Sequence, residues 1–167
     1  EKAALVRKEN KELKQLKTSH QRYADVFAAL GYPIDIKHQL TLAFPEISTN
    51  TSELLNLLCP SNKEYRHWIG IAPFAKHHGK TYPIDLMEEV IEELAKGDQL
   101  ILLFGGGDAE TQVMQDIDNQ YPNVINMAGK IRLTEEMRMI HKLSLMVSMD
   151  SANMHIASLV GTRVLSI

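Results

Sequence analysis

Three stretches of this 167-residue chain gather the residue types that handle phosphate. The first is Phe74-Ala75-Lys76-His77-His78-Gly79-Lys80-Thr81-Tyr82-Pro83, a cationic run that contains a glycine and leads into a helix. A lysine beside a helix N-terminus reaches a phosphate as a point charge, and the helix end adds backbone N–H groups and a partial positive charge. Its plainer reading is a solvated basic loop. The second is Gly105-Gly106-Gly107-Asp108-Ala109-Glu110. Three glycines allow a tight turn and close backbone approach, and Asp108 or Glu110 can accept a hydrogen bond from a ribose hydroxyl. The same residues also fit a simple turn with an acidic first helical turn. The third is Ser148-Met149-Asp150-Ser151-Ala152-Asn153-Met154-His155. An apolar strand ends there and a helix begins, with His155 about one turn in. Backbone donors, a helix dipole and an imidazole together suit a pyrophosphate; an ordinary N-cap with a packed histidine is the alternative.

Other chemistries find less support. The glycine loop is neither GxGxxG, since Glu110 takes the place of the last glycine, nor a Walker loop, since no GK[ST] follows. His77 and His78 are adjacent, and no CxxC, HxxxH or HxH pattern accompanies them, so no metal site is expected. Cys59 lies beside Leu57 and Leu58 and reads as a core residue rather than a nucleophile. No Gly-x-Ser-x-Gly element supports hydrolase chemistry. Met137, Met139, Met146, Met149 and Met154 read as core filler.

The elements that must position these loops follow from periodicity and breakers. Residues 1–19 are polar and mostly basic, either a surface helix or a connector. Thr18 and Gln21 fit a capping box, and Tyr23, Val26, Phe27 and Leu30 form a helical stripe that Gly31 ends. Residues 34–44 read as a short strand or extended linker. Residues 45–64 are turn-rich at both ends, with a short apolar stretch from Leu54 to Leu58, and read as an interdomain linker. From residue 67 the pattern becomes regular. Strands are expected over 68–73, 99–104, 123–127, 145–149 and 163–167. Between them lie helices opened by Pro83, by Asp108, by Thr134 as a cap, and by Ser151. Alternating strands and helices with short loops predict an α/β fold, a Rossmann-like parallel sheet with helices on both faces. Such sheets bind ligands at the carboxyl ends of their strands, where the strand order reverses. The expected division is 1–64, a remnant of a preceding domain with its linker, and 65–167, a nucleotide-binding domain cut short at its C-terminal end.

Composition narrows the classes further. With 44% hydrophobic and 23% charged residues, the chain is neither a collagen, a mucin-like stalk nor a wholly disordered tail. A net charge of −3 argues against a dedicated nucleic-acid binder. The single cysteine precludes an internal disulfide and fits a reducing compartment. No apolar run nears the roughly 20 residues that span a bilayer, and the N-terminus shows no signal peptide. It also lacks a start methionine, so an excised piece of a longer chain is expected.

Taken in order, GIAPFAKHHGKTYP (70–83), LLFGGGDAE (102–110), NMAGKIRLTEEM (126–137) and VSMDSANMHIASLVGTRVLSI (147–167) resemble the C-terminal domain of glycosyltransferase family 9, which contains the lipopolysaccharide heptosyltransferases. The likeness covers residues 67–167 well and 18–31 more weakly. It implies the C-terminal half of a GT-B glycosyltransferase, which holds a nucleotide sugar, typically ADP-heptose. It implies inverting, metal-independent transfer with no cofactor to a lipid-linked lipopolysaccharide core acceptor. By the same resemblance, Lys80, Asp150, Ser151, Ala152 and His155 would contact the donor diphosphate. Glu110 would accept from the ribose, and Met127 would lie near the adenine. The catalytic base, an aspartate in this family, would belong to the N-terminal domain. The implied setting is the cytoplasm, with peripheral contact at the inner membrane. Three departures stand out: Ala152 replaces the usual glycine, Phe74 stands where glycine is common, and Tyr82 replaces tryptophan. Two rival expectations remain: a non-catalytic flavodoxin-like binding or interaction module, and another GT-B enzyme that uses a UDP-sugar.

Overall fold

The computed structural model describes residues 15–37, 49–58 and 65–167, and the chain divides into two compact units, Glu1–Leu40 and Thr41–Ile167. The readings of Cys59 and of residues 1–14, 38–48 and 60–64 fall outside the described residues.

In the first unit, helix α1 spans Ser19–Ala29. Thr18 caps it as expected, its hydroxyl accepting from the Gln21 N–H at 3.1 Å. The second half of the capping box does not form, because the Gln21 amide donates instead to Asp25 at 2.8 Å, a carboxylate that Lys17 also holds at 2.7 Å. The helix ends in a Schellman motif, with Tyr32 N–H bonded to Phe27 O and Gly31 N–H to Ala28 O. Gly31 supplies the φ of +88° that this motif needs. The stripe of Tyr23, Val26, Phe27 and Leu30 stays exposed, whereas Ala24 is buried.

The second unit is built on a parallel sheet of β1 (His67–Ala72), β2 (Gln99–Leu103), β3 (Val124–Asn126), β4 (Leu145–Ser148) and β5 (Val164–Ser166), in the order β3-β2-β1-β4-β5. Its helices are α2 (Thr49–Leu58), α3 (Ile84–Ala95), α4 (Asp108–Asp118), α5 (Leu133–Lys142) and α6 (Ala152–Leu159). The period of two in β2 separates its faces. Ile101 and Leu103 pack with Met87 and Ile91 of α3 and with Met114 and Ile117 of α4. Leu100 and Leu102 pack with Met139 and Ile140 of α5 and Ala157 of α6. Both faces are therefore covered, which is why β2 reads as an unbroken apolar run.

Several boundaries differ from the sequence reading. The stretch read as linker contains α2, and its Leu55 is buried in the core on the α5–α6 face. Pro83 is the residue before α3 rather than its first. Arg132, not Thr134, occupies the N-cap of α5, and Thr134 lies exposed in the first turn. At α3 and α5 no side chain caps the helix start, and such ends shift by a residue or two.

Candidate functional site

The chain runs outward from β1 to β2 and β3, then crosses back through α5 to β4 on the other side of β1. The carboxyl ends of β1 and β4 therefore flank the point where the order reverses, and their two loops diverge and leave a crevice between them. A hollow of about 570 Å³ lies there, with Phe74, Gly105, Glu110, Asp150, Ala152 and His155 among its walls.

The β1 loop is tied over the end of β4. The Tyr82 N–H points at the buried Met149 sulfur at 3.2 Å, and a single 3-10 turn over His78–Lys80 closes with Lys80 N–H bonded to His77 O at 2.9 Å. Lys80 Nζ, carried on that turn, forms an ion pair with Asp150 Oδ2. The other carboxylate oxygen of Asp150 faces His155 Nε2 at 3.7 Å. Asp150 thus stands between the Lys80 ammonium and the His155 imidazole, one from each loop. The Lys80 hydrogen bond and charge, with help from His155 and His77, hold the Asp150 carboxyl below the usual carboxylate range; slight burial works the other way. Both partners of the pair are about half exposed. Such a pair reopens at little cost, which leaves the Lys80 ammonium available to an arriving anion.

Helix α6 starts at the hollow with Ser151 as its N-cap, yet the Ser151 side chain makes no capping bond. The Ser148 hydroxyl donates to Met149 O at 2.8 Å, so the 3.0 Å contact between the two hydroxyls must use the Ser151 proton. The first-turn amides of α6 are left without a side-chain cap, and these are the groups that draw anions to helix ends. Ala152 lines the hollow directly at this start.

Across the hollow, Gly107 at φ +88° turns the chain from β2 into α4. Glu110 Oε2 accepts from the Gly106 N–H at 3.1 Å, which holds the carboxylate at the rim. Met127 is placed differently. It is 2% exposed, packs in the core on the α5–α6 face and does not line the hollow. The Asn126–Lys130 stretch likewise serves the framework. Asn126 donates to Thr111 O and Gln115 Oε1 and accepts from the Ala128 N–H, while Lys130 lies 3.7 Å from Asp118.

Two residues of the site were not singled out from the sequence. Asn153 lines the hollow one residue beyond Ala152, and its Nδ2 donates to Glu136 Oε1 of α5 at 2.8 Å. Burial raises the Glu136 carboxyl pKa, partly offset by the Asn153 hydrogen bond. Among the described residues, no cluster of three or more His, Cys, Asp or Glu is gathered as a metal site would be. No described helix is long and apolar enough to cross a membrane.

A family model for glycosyltransferase family 9 (heptosyltransferase) matches residues 3–167. The chain belongs to this family. Among solved structures, the E. coli ADP-heptose LPS heptosyltransferase II superposes with a TM-score of 0.61 at 22% identity, covering 84% of this chain and 46% of its own. The E. coli heptosyltransferase WaaC with ADP gives 0.63 at 18% identity, covering 93% of this chain and 45% of its own. A family 9 glycosyl transferase from Veillonella parvula gives 0.69 at 17% identity, covering 92% and 44%. No curated protein matches the chain in sequence. The chain thus spans less than half the length of these structures. It shares with them the α/β architecture of one half of a GT-B glycosyltransferase.

Proposed function

We propose that this family 9 chain is the donor-binding part of an inverting heptosyltransferase and that its hollow takes the diphosphate of a nucleotide sugar, ADP-heptose being the favoured donor. The single observation that carries this reading is the convergence of Lys80, His155 and the uncapped start of α6 at the reversal point of the sheet. In an inverting transfer the sugar carbon passes through an oxocarbenium-like state while negative charge grows on the leaving diphosphate. Lys80, a protonated His155 and the α6 amides would stabilise that charge as it forms. Asp150 would aim both cations, one on each carboxylate oxygen. A diphosphate departs without an acid to protonate it, and these charges would do the work a metal does elsewhere. The Glu110 carboxylate would accept from a ribose hydroxyl at the rim.

The Ser151 hydroxyl would have to release Ser148 and turn before it donated to a phosphate. Phe74 narrows the β1 side of the hollow, so contact there falls to backbone and to Lys76. Met127 shares a core cluster with Phe104, which lines the hollow, so it would support the base through its neighbours rather than touch it. A base must still take the acceptor proton. On this reading it belongs to the part of the family that this chain does not cover, together with the site for a lipid-linked saccharide at the cytoplasmic face of the inner membrane.

The test is calorimetric titration of ADP into the wild-type chain and into Lys80→Ala and His155→Ala. Loss of one charge-assisted hydrogen bond, worth about 1.5–3 kcal/mol, weakens affinity roughly 10- to 150-fold in each variant. Unchanged isotherms in both variants would overturn the site.

A further inference from the structure

Asn153 and Glu136 form a polar pair at the hollow that the diphosphate reading leaves unused. Asn153 lines the hollow on α6, and its carboxamide is tethered across to α5 by the 2.8 Å bond from Nδ2 to Glu136 Oε1. An ionised carboxylate only accepts hydrogen bonds, so the amide nitrogen must be the end that faces Glu136. The Asn153 Oδ1 then points away from that carboxylate and makes no hydrogen bond among the described residues. The side chain is half-buried and held in one of its two amide orientations.

We propose that Asn153, oriented by Glu136, is a specificity-determining residue of the hollow that reads a hydroxyl of the bound nucleotide sugar through its Oδ1. This rests on the donor-site reading above. Oδ1 is a neutral acceptor next to a site built for anions. A hydroxyl can donate to it, whereas a phosphate oxygen cannot. Asn153 is the second residue of α6, beside the first-turn amides, so a neutral acceptor on its side chain suits a hydroxyl-bearing group attached to the phosphates rather than the phosphates themselves. Glu136 acts through Asn153 and is a positioning residue. A glutamine at 136 would offer either a nitrogen or an oxygen to Asn153, and the amide could then turn.

The experiment titrates ADP, 2′-deoxy-ADP and ADP-heptose into the wild-type chain, Asn153→Ala and Glu136→Gln, with melting temperatures recorded alongside. Loss of one neutral hydrogen bond weakens binding about three- to tenfold. If the hydroxyl belongs to the transferred sugar, Asn153→Ala weakens ADP-heptose by that factor and leaves ADP unchanged. If it belongs to the ribose, ADP weakens as well and 2′-deoxy-ADP is spared. Either pattern supports the proposal, provided that Glu136→Gln shows a smaller loss for the same ligand without a lowered melting temperature. Wild-type affinity for all three ligands in Asn153→Ala would overturn it while the donor site stands. So would losses in Glu136→Gln that merely follow a fall in melting temperature. A wild-type chain that binds neither ADP nor ADP-heptose would sink this proposal and the donor site together.

Discussion

Asp150 and Glu136 are both carboxylates near the hollow, yet their surroundings move them in opposite directions. Lys80 lowers Asp150 from its ordinary value of 3.8, so the pair's contribution to stability is present above that pH and is lost as pH falls through the lowered value. Burial raises Glu136 from 4.5, so its contribution runs the other way and stability falls as pH rises from 4.5 through the raised value. Urea midpoints of Glu136→Gln against wild type should therefore diverge in the variant's favour between pH 4.5 and 7 and converge below. Asp150→Asn should instead lose its difference from wild type only under more acidic conditions. A constant offset for Glu136→Gln across that range would show that its carboxyl titrates as if in water. The sequence made Asp150 and His155 visible because they follow an apolar strand within one helical turn. It hid Asn153 and Glu136, because 17 positions separate them and only the crossover from β3 to β4 brings α5 beside α6.

At the level of elements, strands and helices were legible because β2, α3 and α4 carry unmixed apolar periods. Their ends were less so. Thr134 has the right chemistry for a cap, but the chain enters α5 one residue before Leu133, and no side chain caps it. The stretch read as linker hides α2 because, among its described residues, only Leu55 and Leu58 meet the core. The Asn126 stretch illustrates another limit of motif reading. Its residue types suit a ligand loop, but its hydrogen bonds go to the Thr111 carbonyl and the Gln115 side chain of α4 and to its own turn. Asn126→Ala should lower stability by about 1–3 kcal/mol, the cost of stranding the buried Ala128 N–H, while ADP affinity in the folded fraction stays near wild type. Denaturant titration and calorimetry check the two halves of this expectation separately. Gly107→Ala should cost about 1–2 kcal/mol, because an L side chain resists φ of +88°. Because it re-aims the Glu110 turn, it should also weaken nucleotide binding.

For the molecule as a whole, the sheet order makes one place the natural ligand site, and the cationic loops of the chain arrive at that place. Family membership and this topology agree. A non-catalytic module of the same fold would show no nucleotide preference. In a thermal-shift screen with ADP, UDP, GDP and FMN, ADP alone should stabilise the second unit; at 100 times its Kd the gain is about 2.7 kcal/mol. Stabilisation by UDP instead would point to a UDP-sugar transferase.

The most direct test follows ADP onto the ¹⁵N-labelled chain by amide chemical shifts. With the donor site between the loops after β1 and β4, the largest shifts should fall on residues 74–82 and 149–155, with smaller ones at 105–110. Shifts that cluster elsewhere, or a spectrum unmoved at millimolar ADP, would contradict it.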